Sequence, residues 1–270
     1  MKKRTMATIL TGILIAAALT GCGASKATEE AKTAEKDLFA TIQDAGIIKV
    51  GTEGTYAPYT FHNEDGDLTG YDVEVAQAVA EKLGVKAEFV ETKWDSIIAG
   101  LDAKRFDIIV NQVGITEERQ QKYSFSTPYT YTKGALIVAG TNKDIKSFED
   151  LSGKKAAQSL TSNWGKTAES YGAELVGTDG FNQSIDLVLA GRADATINDN
   201  LTYYDYITQR PDADVKVAAL SDESSANAIL IRQGNDTLVK AIDDALAELA
   251  EDGTLKQISE KYFGVDVSVK

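Results

Sequence analysis

AKRFDIIVNQ, residues 103–112, aligns without gaps to AGRADATIND, residues 190–199. In each copy a helix end gives way to a tight turn, then a short apolar strand, then two polar residues: Asn111 and Gln112 in the first, Asn198 and Asp199 in the second. A short continuous apolar run reads as a strand buried on both faces of a sheet. Polar residues directly after it point into the crevice at the strand's carboxyl end, where open α/β sheets take their ligands. Two such units predict two similar lobes that present polar groups to a shared cleft.

The rest of the chain keeps the same rhythm. Strands are predicted over 47–51, 86–91, 107–110, 135–139, 154–157, 174–177, 195–197, 215–218 and 228–231. Val75, Val79 and Leu83 recur at spacing four over 71–83 before Gly84. Trp94, Ile97, Ile98 and Leu101 mark a helix over 94–103, and Leu238, Ile242, Leu246 and Leu249 mark another over 237–250 with Asn235 as its cap. Strands alternating with helices predict an α/β protein in which each lobe is a mostly parallel sheet flanked by helices.

Composition narrows the function classes. A length of 270 residues fits two domains at roughly 150 residues each. With 43% apolar and 26% charged residues, Gly 22 and Pro 3, the chain is neither collagenous, low-complexity nor a polytopic membrane protein. A net charge of −13 opposes binding to nucleic acid. A single cysteine excludes a disulfide framework, and one histidine beside it leaves little for a zinc site, so no metal or cofactor is expected.

The N-terminus reads as an address. Met1-Lys2-Lys3-Arg4 precedes a mostly apolar run, a positive start and short apolar stretch that suit an export signal over 1–21. The run ends at Leu19-Thr20-Gly21-Cys22, which looks like the lipobox of bacterial lipoproteins. That resemblance implies cleavage before Cys22, lipidation of its thiol and an extracytoplasmic protein anchored to the cell membrane. The other reading is a secreted protein with a free thiol; the position of the sole cysteine at the cleavage point favours the anchor. Residues 22–36 then form a tether of small and charged residues, and the fold begins near Asp37.

Several residues carry candidate chemistry. In GITEER, residues 114–119, Thr116 can cap a helix opened by Glu117 and Glu118. Arg119 does not suit that helix start and needs an anionic partner, either an acid of the chain or a ligand carboxylate taken bidentately. Asp199, after the second repeat's strand, can receive an ammonium, so Arg119 and Asp199 together suit a zwitterion. EGTYAPY, residues 53–59, suits a loop lining a cleft or a plain turn over core tyrosines, and Trp94 suits the cleft or the core. His62 lies in a polar turn where solvent is its expected partner. Gly165-Lys166-Thr167 matches the end of a phosphate-binding loop, but Leu160 stands where the first glycine belongs. There is no G-x-S-x-G and no H-E-x-x-H.

These stretches resemble the extracytoplasmic solute-binding proteins of polar amino-acid ABC importers. The similarity runs from about residue 48 to 263 and is carried by 51–61 (GTEGTYAPYTF), 70–76 (GYDVEVA), 94–106 (WDSIIAGLDAKRF), 114–129 (GITEERQQKYSFSTPY) and 252–264 (DGTLKQISEKYFG). Asn111-Gln112-Val113 and 159–164 (SLTSNW) look most like the L-cystine-binding members. The resemblance implies a type II periplasmic-binding-protein fold. Lobe one would comprise 37–136 plus 229–270 and lobe two 137–228, joined by crossing strands near 133–140 and 225–232. It implies that Arg119 grips the ligand's α-carboxylate with a backbone N–H of Gly114, where related binders often have a hydroxyl. Asp199 takes the α-ammonium with support from Thr161 and Ser162, and Tyr56 and Trp94 sandwich the side chain. Glu53, Asn111, Gln112 and Asn163 then serve the distal end of cystine. The implied partners are the amino acid and a membrane permease, for a monomer that performs no catalysis. Arginine, histidine and glutamine are the alternative ligands. The same fold also carries cyclohexadienyl dehydratases, for which Glu53 would have to act as an acid, and sensor domains of membrane kinases.

Overall fold

The computed structural model describes residues 37–270; the leader over 1–21, Cys22 and the tether to residue 36 lie outside the described residues. Among the described residues no helix is long and apolar enough to cross a membrane.

Asp37 accepts from the Phe39 N–H and caps α1 (Leu38–Ala45). The chain continues through β1 (Ile47–Thr52), a small antiparallel sheet of β2 (Thr55–Tyr56), β3 (Thr60–His62) and β4 (Leu68–Thr69), then α2 (Tyr71–Lys82), β5 (Lys86–Glu91), α3 (Trp94–Asp102), β6 (Ile108–Ile109), the single turn α4 (Glu117–Gln120) and β7 (Tyr123–Phe125). A second series follows: β8 (Thr130–Ala139), β9 (Lys155–Gln158), α5 (Asn163–Ser170), β10 (Glu174–Gly177), α6 (Phe181–Leu189), β11 (Ala195–Asp199), α7 (Asn200–Gln209) and β12 (Val215–Asn227). The chain closes with β13 (Leu230–Arg232), α8 (Asp236–Glu251) and α9 (Thr254–Phe263).

Two five-stranded sheets result, in the orders β5-β1-β6-β13-β7 and β10-β9-β11-β8-β12. The units β1-α2-β5-α3-β6 and β9-α5-β10-α6-β11 have the same order and the same parallel pairing. The sequence repeat is explained by a shared turn. Asp107 donates its N–H to the Lys49 carbonyl and accepts the Lys49 N–H on its carboxylate, both at 2.9 Å. Asp194 makes the same pair of bonds to Lys155, both at 2.8 Å. The turn before each aspartate needs a left-handed residue, supplied by Lys104 at φ 58° and Gly191 at φ 65°. Phe106, in the first copy only, packs so tightly that a Cβ on Gly51 would lie 2.5 Å from its ring.

The sheets are mixed rather than mostly parallel. β13 is antiparallel to β6 and β7, and β8 is antiparallel to β11 and β12, because these strands run back against each parallel trio. Each sheet is covered on both faces. Val75, Val79, Leu238, Ile242 and Leu246 pack one face of the first, while Ile97, Leu101 and Phe106 pack the other. Burial on both faces is what short strands without polar alternation require. The chain passes between the sheets through an antiparallel ribbon that pairs Thr130 with Asn227 and Lys133 with Ser224, separated by a register shift from the pairs beyond. The ribbon's first strand starts at Thr130, slightly before the 133–140 that the resemblance implies. Asn235 sits before α8, but its side chain makes no cap; its amide donates to the Arg232 carbonyl.

Candidate ligand-binding site

A cavity of about 50 Å³ lies between the carboxyl ends of β1 and β6 on one side and β9 and β11 on the other. Glu53, Tyr56, Trp94, Asn111, Gln112, Ser162, Asn163 and Asp199 all line it.

On the first wall, Asn111 is fully buried and braces Glu53 reciprocally. Its Oδ1 accepts the Glu53 N–H at 2.8 Å and its Nδ2 donates to Glu53 Oε2 at 2.7 Å. Burial pushes the Glu53 carboxyl up to about 7. Gln112, at φ 49°, donates its backbone N–H and its Nε2 to the two oxygens of buried Asp72, each at 2.7 Å. Burial likewise pushes Asp72 up to about 7. Trp94 opens α3, and its buried indole N–H has no hydrogen-bond partner among the described residues.

On the second wall, Asp199 accepts the Thr132 hydroxyl at 3.0 Å and lies 3.3 Å from the Tyr56 hydroxyl. Tyr56 reaches across the cavity and donates to Asn198 Oδ1 at 2.6 Å. Burial pushes Asp199 up to about 6. Ser162 caps α5, accepting the Gly165 N–H and donating to the Ser159 carbonyl, so its hydroxyl is occupied.

Arg119, Gly114 and Thr161 stand apart from the cavity lining. Arg119 is only 8% exposed and faces an adjoining hollow that it shares with Asn163. Its guanidinium stacks on the Trp94 ring at 5.3 Å and donates to the Gly114 carbonyl at 2.9 Å and to Asn163 Oδ1 at the long distance of 3.5 Å. These partners are neutral, and burial holds the guanidinium down at about 10. Gly114 faces the ribbon, where a Cβ would meet Ser225, Asn163 and Asn227 at 3.4–3.5 Å. Thr161 is exposed, and its hydroxyl and N–H both donate to Asp95 Oδ1 on α3. That bond joins ion pairs between Lys93 and Asp179 and between Lys166 and Glu118 in linking the two halves at the cleft's rim.

Further lining residues went unread in the sequence, among them Gln158, Trp164 and Phe181, whereas Asn198 lines the cavity as its place after the second repeat's strand predicted. The repeat contained a signal for one of them, since Phe181 falls at the position equivalent to Trp94. His62 is exposed, as its polar turn suggested, and also has protein partners: Nε2 lies 3.2 Å from Glu91 and Nδ1 lies 3.2 Å from the Gly54 carbonyl. Among the described residues no group of three or more His, Cys, Asp or Glu could hold a metal ion.

The family of bacterial extracellular solute-binding proteins, family 3, matches residues 48–265. The chain belongs to that family. The L-cystine-binding protein TcyA of Bacillus subtilis is 44% identical to this binding protein over 99% of the chain and 100% of its own length. A probable amino-acid ABC transporter-binding protein of Haemophilus influenzae is 50% identical over 84% of the chain and 88% of its own length. Among solved structures, the L-cystine solute receptor of Neisseria gonorrhoeae, unliganded and open, is 49% identical, with 86% of this chain and 99% of that one covered and a TM-score of 0.58. An ancestral arginine-binding protein bound to arginine is only 38% identical, covering 81% and 99%, yet has a TM-score of 0.76. The binding protein is therefore nearer in shape to the ligand-bound relative than to the open one of higher identity. The bonds across its cleft fit that arrangement.

Proposed function

We propose that the protein captures L-cystine outside the cytoplasmic membrane and delivers it to an ABC permease. The observation that carries this reading is a cavity with a carboxyl on each wall, half-buried Glu53 and buried Asp199, both pushed up by desolvation. A ligand with an ammonium at each end supplies a counter-charge to both. The names of the relatives from Bacillus subtilis and Neisseria gonorrhoeae support the choice of cystine.

In this reading Asp199, with Tyr56 beside it, takes the α-ammonium. Arg119 takes the α-carboxylate with the Gly114 N–H, the ligand oxygen replacing Asn163 Oδ1 on a guanidinium that now has neutral partners. Tyr56 and Trp94 flank the disulfide, and Glu53, Asn111, Gln112 and Asn163 serve the distal head. Ser162 shapes the wall as the cap of α5, and Thr161 contributes by holding the rim shut through Asp95. The lobes, 37–136 with 229–270 and 137–228, move about the ribbon at 130–133 and 224–227, which brings the first boundary back towards 130. Closure removes water from the polar groups and creates a shape that the permease distinguishes from the open one. The protein acts as a monomer held to the membrane by lipidated Cys22. It performs no chemistry, because nothing in capture needs a proton donor.

A second reading, a binder of arginine or another cationic amino acid, is favoured by the same Glu53, which could receive a guanidinium, and by the likeness to the arginine-bound ancestor. Isothermal titration of the protein, stripped of carried ligand by unfolding and refolding, separates the two. L-cystine, L-cysteine under reducing conditions, L-arginine, L-histidine and L-glutamine are compared. Tight binding of cystine alone is expected. Tight binding of another member keeps the class and overturns cystine; silence across the panel overturns capture of an amino acid, and prephenate turnover is then assayed.

A further inference from the structure

The buried carboxylate of Asp72 lies outside the cavity lining, yet it is joined to a residue that lines it. Asp72 sits in the first turn of α2, 1% exposed, and its two oxygens are taken by the backbone N–H and the side-chain nitrogen of Gln112. The same nitrogen reaches Thr130 Oγ1 at 3.2 Å. An ionised carboxylate only accepts hydrogen bonds, so the Gln112 amide must turn its nitrogen to Asp72. Its oxygen is then the end left over, and that oxygen is buried with no hydrogen-bond partner among the described residues. The clamp also holds Gln112 at φ 49°, a conformation few residues other than glycine adopt. In the second repeat the equivalent position is Asp199, another buried acceptor at the cavity wall. Both halves of the molecule thus set a hydrogen-bond acceptor at the carboxyl end of their central strand.

We propose that Asp72 is a positioning residue: by fixing which end of the Gln112 amide meets the cavity, it makes the distal subsite an acceptor and selects a ligand whose far end is an ammonium. The inference rests on the cystine reading. Its chemistry is specific to polarity, not shape, because turning the amide over would present a donor of nearly the same size and repel the ammonium it now receives.

The test is isothermal titration of the purified protein at pH 7.5, above the value of about 7 to which burial pushes Asp72 and below the range in which the ligand's amino groups lose their protons. Two ligands are used: L-cystine, and S-methylthio-L-cysteine, which keeps one amino-acid head and the disulfide but lacks the distal head. In Asp72→Asn the new amide nitrogen faces Gln112 and turns its side chain over. Cystine affinity is expected to fall roughly tenfold or more while the truncated ligand changes less than about twofold. Gln112→Glu alone sets two carboxylates face to face and is expected to lose cystine as well. The double variant Asp72→Asn with Gln112→Glu lets the asparagine nitrogen hold one glutamate oxygen and leaves the other as an acceptor. It is expected to recover cystine to within about threefold of the parent. Equal loss of both ligands in Asp72→Asn, or no recovery in the double variant, overturns the proposal and leaves Asp72 a structural group. Should Asp72→Asn not fold, Gln112→Met removes the acceptor directly: selective loss of cystine supports the proposal and equal loss overturns it. If the parent binds S-methylthio-L-cysteine as tightly as cystine, the distal subsite itself is refuted. If it binds neither, the cystine reading fails and this inference with it.

Discussion

Replacing Arg119 with methionine should separate affinity from stability. Arg119 is 8% exposed, and the partners of its guanidinium are a carbonyl, an amide oxygen and a ring. Burial holds it down at about 10, which corresponds to roughly 3 kcal/mol against the charged form. Methionine removes that penalty and fills much of the same space. The variant forfeits the bond to Gly114 and the stack on Trp94, about 1 kcal/mol each. The balance is near zero or slightly favourable, and at 2–4 °C per kcal/mol for a chain of roughly this size the melting temperature should hold or rise by a few degrees. Binding should respond in the opposite direction. Leaving a desolvated ligand carboxylate without its cation costs about 2–5 kcal/mol, roughly 30-fold to several-thousand-fold in Kd. Scanning calorimetry of stripped protein and titration with L-cystine measure the two quantities separately. A variant that melts several degrees lower yet binds as tightly as the parent would show that the cation is kept for the fold and refute the clamp.

Three other outcomes follow from the electrostatics and packing. Burial pushes Glu53 up to about 7, and an ammonium beside it favours the carboxylate, so cystine binding at pH 7 should release protons. Titrations in buffers of different ionisation enthalpy detect the release, and persistence of the full effect in Glu53→Gln would assign it elsewhere. Glu53, Asp72 and Asp199 are held up at about 7, 7 and 6, while an unfolded chain titrates them near 4. The native state therefore binds more protons than the unfolded one between about pH 4 and 7, and these groups make stability fall as pH rises through that window. The ligand-free melting temperature should be higher at pH 5 than at pH 7.5; a flat profile would mean that the three groups are better solvated than their burial implies. In Gly51→Ala the new methyl would lie 2.5 Å from the Phe106 ring, so the chain should lose about 1–3 kcal/mol, read as a lower urea midpoint, whereas an unchanged midpoint would show that the ring can move aside.

The repeat at 103–112 and 190–199 made the architecture legible because its aspartates do a backbone job that the pattern preserves: each clamps the N–H of a neighbouring strand. The antiparallel members were harder to read, since β13 and β8 are as apolar as the parallel strands beside them and only their pairing reveals direction. Helix α5 escaped because it buries only Gly165 and Ala168 and shows no apolar stripe. At the site, Glu53, Asn111, Gln112 and Asp199 were readable from their place after a strand. The neutral surroundings of Arg119 were not, nor was the Thr161 bond to Asp95, because both depend on contacts between segments far apart in sequence. His62 is exposed as its polar turn suggested, but its contact with Glu91, on another strand, could not be read.

The position of β13 between β6 and β7 has a temporal consequence. A chain that emerges N-terminus first can pair every strand of its second sheet before Leu230 appears. The first sheet, though it begins earlier, stays split down the middle until the last segment arrives. Helices α8 and α9, which cover it, come later still. The half of the molecule that starts last can thus be finished first, and a chain cut short after Asn227 would keep one sheet whole and leave the other without its keystone.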